Sequence, residues 1–165
     1  MSDADLIDRR QQRTREAIRR AFIALATSRR YDDFSVGELI DKAGIGRSTF
    51  YEHYRNKDEV LRVLMDGMLA ELAAASGGAV PVDRLSRLTA HFWDNRRLGK
   101  AVFGQPLVPA VRRRLAELIE QRTKAGRLRA AFLAAGQTGL LYSWLSGEVS
   151  ANPTEMAAAL LGQAP

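Results

Sequence analysis

Arg47, Ser48 and Thr49 stand side by side at the start of a short helical run, with Tyr51, Glu52, His53 and Tyr54 behind them and Lys57 just beyond. On a helical wheel, Phe50 and Tyr54 fall one turn apart and are expected to face inward, against Ile40 and Phe22. Ser48, Thr49, Tyr51 and Glu52 point away. An outward face of small hydroxyls beside a tyrosine makes a poor oligomer core and a good groove surface. Short side chains let the backbone approach, and hydroxyls reach phosphates or base edges of a duplex. Arg47 lies at the N-terminal end, where groove-inserted helices make base contacts, and guanine with its two acceptors is its natural partner. Tyr51, His53, Tyr54 and Lys57 are the candidates for backbone phosphates. Some of these residues carry a structural reading as well: Tyr54 as core beside Phe50, His53 as a structural hydrogen bonder. Glu52 runs against the groove reading, since an acid there repels phosphates unless it accepts from a cytosine amine.

The elements that must hold this face in place are legible around it. From Arg10 to Ser28, Ala17, Ile18, Ala21, Phe22 and Leu25 recur at three-to-four spacing, which predicts one amphipathic helix. Tyr31 to Phe34 interrupts the pattern as a connector. Ser35 precedes Glu38 by three residues, a capping box that starts a second helix, and Gly44 ends it by permitting a left-handed cap. Gly46 and Arg47 open the third helix, which is expected to run to about Tyr54. Ser35 thus has two readings, as a cap and as a phosphate contact beside the free amides of the second helix. Asn56 and Glu59 launch a long helix with the stripe Val60, Leu61, Leu64, Met65, Met68, Leu69 and Leu72.

The second half also reads as helix. Residues 76–81 form a turn, and a helix follows with Leu85, Leu88 and Phe92. A broken segment is expected around Gly99–Pro109. Val111, Leu115, Leu118 and Ile119 mark the next helix, and another runs from Leu128 to about Gly147. Asn152-Pro153-Thr154-Glu155 is a strong helix start for the last one, about 153–162. The expected class is therefore all-α. A three-helix helix-turn-helix domain covers residues 1–56, and a helical bundle covers 57–165.

Composition narrows the function. Of 165 residues, 46% are hydrophobic, enough for a real core, and the net charge is +6. The basic excess is concentrated on residues 9–30, where eight arginines meet one acid, Glu16, so a polyanionic partner fits. The chain lacks cysteine, a membrane-length apolar run and a signal-peptide pattern at Met1–Gln12, which suits a cytoplasmic protein and no membrane. Only His53 and His91 are present, in different modules, and no glycine-rich phosphate loop, metal cluster or nucleophile motif occurs. No metal, no cofactor and no enzyme activity are expected.

Phe34-Ser35-Val36-Gly37-Glu38-Leu39-Ile40, then Ala43 through Tyr54, then Lys57-Asp58-Glu59 strongly resembles the tetracycline-repressor (TetR) family of bacterial transcription regulators, over roughly residues 10–65. The resemblance implies an all-helical homodimer that binds a palindromic operator through two helix-turn-helix heads. It implies a C-terminal bundle that binds a small molecule whose arrival releases double-stranded operator DNA. By position it assigns base contacts to Arg47, Ser48 and Thr49, and phosphate contacts to Ser35, Tyr51, His53 and Lys57. Arg10 and Thr14 on the first helix join the expected DNA-binding set. The dimer would form from the last two long helices. Two departures stand out. Arg30 occupies a turn position where such proteins often carry glycine, and the portion after Asn56 is short for the family.

The aromatic candidates for an effector pocket are His91, Phe92, Trp93, Phe103, Phe132 and Tyr142, although aromatic residues at helical spacing also serve as core or dimer seam. Gly136 and Gly139 suggest a close helix approach. Four readings compete: a ligand-responsive repressor, a helix-turn-helix protein without a small-molecule pocket that is constitutive or controlled by a protein partner, an enzyme, for which no motif speaks, and a helical adaptor that ignores DNA.

Overall fold

The computed structural model describes residues 3–162, with side chains from Asp8 onward. Among the described residues every regular element is helical, and there are nine α-helices. The chain divides into two compact units, Met1–Met65 and Asp66–Pro165. The division falls inside a helix, later than the expected junction at residues 56 and 57.

The first unit is built on α1 (Asp3–Ser28), whose Ile18, Ala21, Phe22, Leu25 and Ala26 are buried. The helix starts well before the Arg10 that periodicity suggested. A 3₁₀ turn, Tyr31–Asp33, leads to α2 (Val36–Ala43) and α3 (Arg47–His53). Phe22, Tyr31 and Phe34 pack ring against ring with centroids 5.7–6.2 Å apart. These tilted and edge-on geometries are the ones aromatic quadrupoles favour. Arg30 takes an ordinary extended conformation (φ −66°, ψ 150°), so its turn does not need glycine. Gly44 does sit in the left-handed region (φ 66°), and its N–H closes α2 onto Ile40 and Asp41 carbonyls. Leu39, Ile40, Phe50 and Tyr54 complete the core with Val60, Leu61 and Met65 of α4 (Lys57–Ala75).

The second unit holds the rest of α4 and α5 (Val82–Asp94), α6 (Arg96–Phe103), α7 (Val108–Thr123), α8 (Arg127–Ser146) and α9 (Pro153–Leu161). Here α7 and α6 pack on α8, while α5 packs on α9. The segment expected to be broken, Gly99–Pro109, is shared between the end of α6 and the start of α7. Gly99 sits within α6 because a Cβ there would come 2.7 Å from the Leu145 side chain. The break is confined to the turn from Gly104 to Leu107, which contains a cis Gln105–Pro106 bond. Asn152 caps α9 at the expected helix start, and with Glu155 it forms a capping box.

Buried polar groups tie the second unit together. The Thr89 hydroxyl donates to the Pro153 carbonyl at 2.6 Å, and the Trp144 indole donates to Ala151 O at 2.8 Å. Gln137, wholly buried, donates through Nε2 to Ser76 Oγ (2.9 Å) and Leu72 O (3.2 Å), while its Oε1 has no partner among the described residues. A buried acceptor left in this state costs roughly 1–3 kcal/mol.

Candidate nucleic-acid interface

The α2–turn–α3 arrangement begins at Ser35. Its Oγ accepts the Glu38 amide at 3.2 Å, and Glu38 Oε2 accepts the Ser35 amide at 2.9 Å. Arg29 Nη1 holds the other Glu38 oxygen at 2.7 Å. The Ser35 amide, its hydroxyl and then Arg29 hold the Glu38 carboxyl below the usual carboxylate range. The start of α2 is therefore fixed by a closed polar network at the surface.

Gly37 is where α2 and α3 meet. A Cβ built there would lie 3.5 Å from Ser35 Oγ and 4.0 Å from Arg47 Nη2. Ser35 and Arg47 thus border the same open stretch of backbone. On the other side of Arg47, the Cβ position of Gly46 is 3.6 Å from Thr49 Oγ1 and 3.9 Å from Ser48 Oγ. Arg47 and Ser48 are exposed and Thr49 is half-buried. One guanidinium and three hydroxyls therefore gather around two glycines, where the backbone itself is bare.

The inward side of α3 provides the anchorage. Phe50 is wholly buried and Tyr54 nearly so, with ring centroids 6.0 Å apart. Burial pushes the Tyr54 phenol pKa up, with Arg15 acting the other way and Glu59 adding to the rise. Tyr54 is a core residue in this structure. Tyr51 is half exposed and meets the Phe50 ring edge-on at 5.4 Å. His53 is half-buried, 6.4 Å from the Tyr54 ring, and its nitrogens have no hydrogen-bond partner among the described residues. Arg10 is exposed, and the Thr14 hydroxyl, half-buried, donates to the Arg10 carbonyl at 3.1 Å.

Lys57 departs from the expectation of a free surface charge. Its Nζ donates to Tyr31 O and Phe34 O, both at 2.8 Å, and lies 4.3 Å and 4.9 Å from the two ring centroids. Beside it, the Tyr31 hydroxyl donates to Asp58 in a short hydrogen bond. Burial first, then Asp58, pushes the Tyr31 pKa upward. The ammonium thus clamps the start of α4 to the connector that leads into Ser35. Two charge-assisted bonds and two ring faces make this a structural joint. Sequence reading missed it because no motif links Tyr31, Phe34 and Lys57; the only trace is two aromatics flanking a connector.

The six aromatic pocket candidates do not gather around one space. Phe92 and Phe103 stack edge-on at 5.3 Å within the core. Trp93 lies on Trp144 at 5.0 Å, with the Arg96 guanidinium 5.7 Å from its ring. His91 is at the surface, its ring 3.4 Å from Asn95 Nδ2. Tyr142 covers Gly104, where a Cβ would come 2.8 Å from its ring, and is otherwise exposed. Phe132 is 74% exposed and Leu128, one turn earlier, 91%. Gly139 has nothing within 4 Å of its Cβ position, so the close approach expected there is not made within the chain's described residues. Among those residues no group of acids, histidines or cysteines is arranged to hold a metal, and no helix is long and apolar enough to cross a membrane.

A capped helix, a glycine turn and a second helix with an inward aromatic anchor and an outward polar face define a helix-turn-helix head. Residues 18–64 match the family model described as bacterial regulatory proteins, tetR family. Over 67 residues the chain is 42% identical to the uncharacterized HTH-type transcriptional regulator YxbF of Bacillus subtilis (strain 168), covering 40% of this chain and 18% of that protein. Over 59 residues it is 36% identical to the HTH-type dhaKLM operon transcriptional activator DhaS of Lactococcus lactis subsp. lactis (strain IL1403), covering 36% of this chain and 32% of DhaS. The matched stretch thus spans less than a third of either relative. Over residues 18–64 the chain is thus similar to the DNA-binding heads of bacterial regulatory proteins of the tetR family.

Structural similarity extends further along the chain. A TetR transcriptional regulator from Streptococcus agalactiae 2603V superposes with a TM-score of 0.67 at 24% identity, covering 97% of this chain and 98% of that one. A structure of the dihydroxyacetone kinase operon activator DhaS gives 0.54 at 20% identity, covering 90% and 92%. At such identities the likeness concerns the fold. It also shows that a second half this short has a structural counterpart.

Proposed function

We propose that the protein is a homodimeric transcriptional regulator that reads a palindromic operator in double-stranded DNA, acting in the cytoplasm as a repressor by occupying its site. The supporting observation is the cluster at Gly37 and Gly46: Arg47, Ser48, Thr49 and Ser35 around bare backbone, on a helix anchored by Phe50. Arg47 takes the base edge, with Ser48 and Thr49 beside it. Ser35, Tyr51, His53, Arg10 and Thr14 serve the phosphates. Tyr54 and Lys57 act chiefly from within, one as core and one as clamp.

The proposed dimer forms through α8 and α9. Leu128, Ala131, Phe132, Ala135, Gly136 and Tyr142 form an exposed apolar stripe along α8, and Ala158 and Ala159 are exposed on α9. A stripe of that kind is self-complementary about a twofold axis, where small residues admit a neighbouring helix. Release by a small molecule is one mode of control. The scatter of the six aromatics favours the second reading, in which control comes from a protein partner or the protein is constitutive.

The test is Arg47→Ala against a bound and a scrambled duplex. Specific binding is expected to weaken by about 1–3 kcal/mol, with one base-pair preference relaxed and nonspecific binding little changed. Unchanged affinity for both duplexes would remove Arg47 from the groove.

A further inference from the structure

Local structure does not explain Glu52. It is exposed, four residues after Ser48 and three after Thr49, so it shares the outer side of α3 with their hydroxyls. The other glutamates of the first unit are all engaged. Glu16 is held by Arg19 at 2.7 and 2.8 Å, Glu38 by Ser35 and Arg29, and Glu59 accepts the Arg55 amide at 2.8 Å. The Glu52 carboxylate has no hydrogen bond or ion pair among the described residues, although Arg55 lies one turn on. It also stands next to last in α3, at the end of the helix where the dipole disfavours an acid. Facing a duplex it is repelled by every phosphate. Only a specific donor offsets these costs. A carboxylate accepts hydrogen bonds and donates none, and the donors on the major-groove edge are the N4 amine of cytosine and the N6 amine of adenine. Adenine carries its N7 acceptor beside the amine, which repels a carboxylate. Cytosine has no acceptor of its own there.

We infer that Glu52 is a specificity-determining residue, which accepts a hydrogen bond from the N4 amine of a cytosine in the major groove. The inference rests on the DNA-binding reading above and adds a second base to it. Arg47 and Glu52 are about 7.5 Å apart along the helix at ~1.5 Å per residue, roughly two base-pair steps at ~3.4 Å each. Each half-site therefore holds a cytosine about two steps from the base pair that Arg47 reads. The guanidinium requires acceptors and the carboxylate a donor, so a half-site with the two bases exchanged is rejected at both positions. On any other sequence the carboxylate meets phosphates and no amine. Glu52 thus weakens nonspecific binding while sharpening the choice of site.

The experiment selects bound duplexes from a random pool with the wild-type chain, Glu52→Ala and Glu52→Gln, and then measures affinities for the selected site. Wild type should enrich cytosine at one position of each half-site. Glu52→Ala should lose that preference and keep the one set by Arg47. Glu52→Gln should exchange cytosine for adenine, whose N6 and N7 fit a side-chain amide. Both variants should bind a random-sequence duplex more tightly than wild type does. Placing N4-methylcytosine at the position keeps the base pair and removes the groove donor. It should weaken wild-type binding about tenfold and leave Glu52→Ala unaffected. Identical base preferences in wild type and Glu52→Ala, with every duplex bound more tightly by the variant, overturn the inference and leave the helix-turn-helix reading standing on Arg47. Wild-type affinity unchanged by N4-methylcytosine overturns it as well. A wild-type chain that binds no duplex overturns both readings.

Discussion

The outward faces of α3 and α8 are both left uncovered by the rest of their own unit, and their chemistry is opposite. On α3 the uncovered residues are Arg47, Ser48, Tyr51 and Glu52, which water can satisfy. On α8 they are Leu128, Phe132, Tyr142 and a series of alanines and glycines, which water cannot. Full burial of a leucine or phenylalanine side chain is worth about 1.5–3 kcal/mol, so the α8 face gains from lasting cover. The α3 face loses little by standing free and gains only when a polar surface with matching acceptors arrives. A permanent partner for α8 and a reversible one for α3 is the division of labour that this contrast supports.

A charge on the apolar stripe should break the contrast most sharply. Phe132→Glu is expected to weaken self-association by about 4 kcal/mol, roughly a thousandfold, because the substitution enters a twofold interface twice. Tyr51→Glu, on the α3 face, should leave self-association untouched. Sedimentation equilibrium distinguishes the two, and equal behaviour would erase the distinction between the faces.

Next in size is the joint beneath the polar face. Lys57→Met leaves the Tyr31 and Phe34 carbonyls without their donor and should cost about 2–3 kcal/mol in urea denaturation. A loss confined to DNA affinity, with stability intact, would instead return Lys57 to the phosphates. Ser35→Ala should cost about 1 kcal/mol, the usual value of an N-cap.

The smallest effect is a pH dependence carried by Glu38. Its carboxyl pKa is depressed by the Ser35 amide, the Ser35 hydroxyl and Arg29. A depressed acid contributes stability that is present above its unfolded-state value, about 4.3, and is lost as pH falls through its folded value. Glu38→Gln should therefore flatten the fall in stability below about pH 4. A curve parallel to that of wild type would show that the network contributes nothing.

The helix-turn-helix was legible because local chemistry encodes it. Ser35 and Glu38 cap each other three residues apart, Gly44 needs its positive φ, and Phe50 and Tyr54 share a helix face. Each signal acts within one or two turns. The joint at Lys57 leaves no mark in the sequence because its partners lie 23 and 26 residues away, a separation without a periodic trace. Aromatic spacing alone does not say which face of a helix is covered, so it does not distinguish a pocket from a surface at Phe132 and Tyr142. The two-sidedness of α8, apolar on its covered and uncovered faces alike, removes the amphipathic contrast that elsewhere marks inside from outside.

The most direct test is selection of bound duplexes from a random pool by the wild-type protein, in parallel with Arg47→Ala. Groove reading by two paired α3 helices predicts an enriched inverted repeat, with half-sites about one helical turn or a multiple of it apart. In the variant, one base-pair preference per half-site should be relaxed. Enrichment of no sequence, or of an unrepeated site read equally well by both proteins, would contradict it.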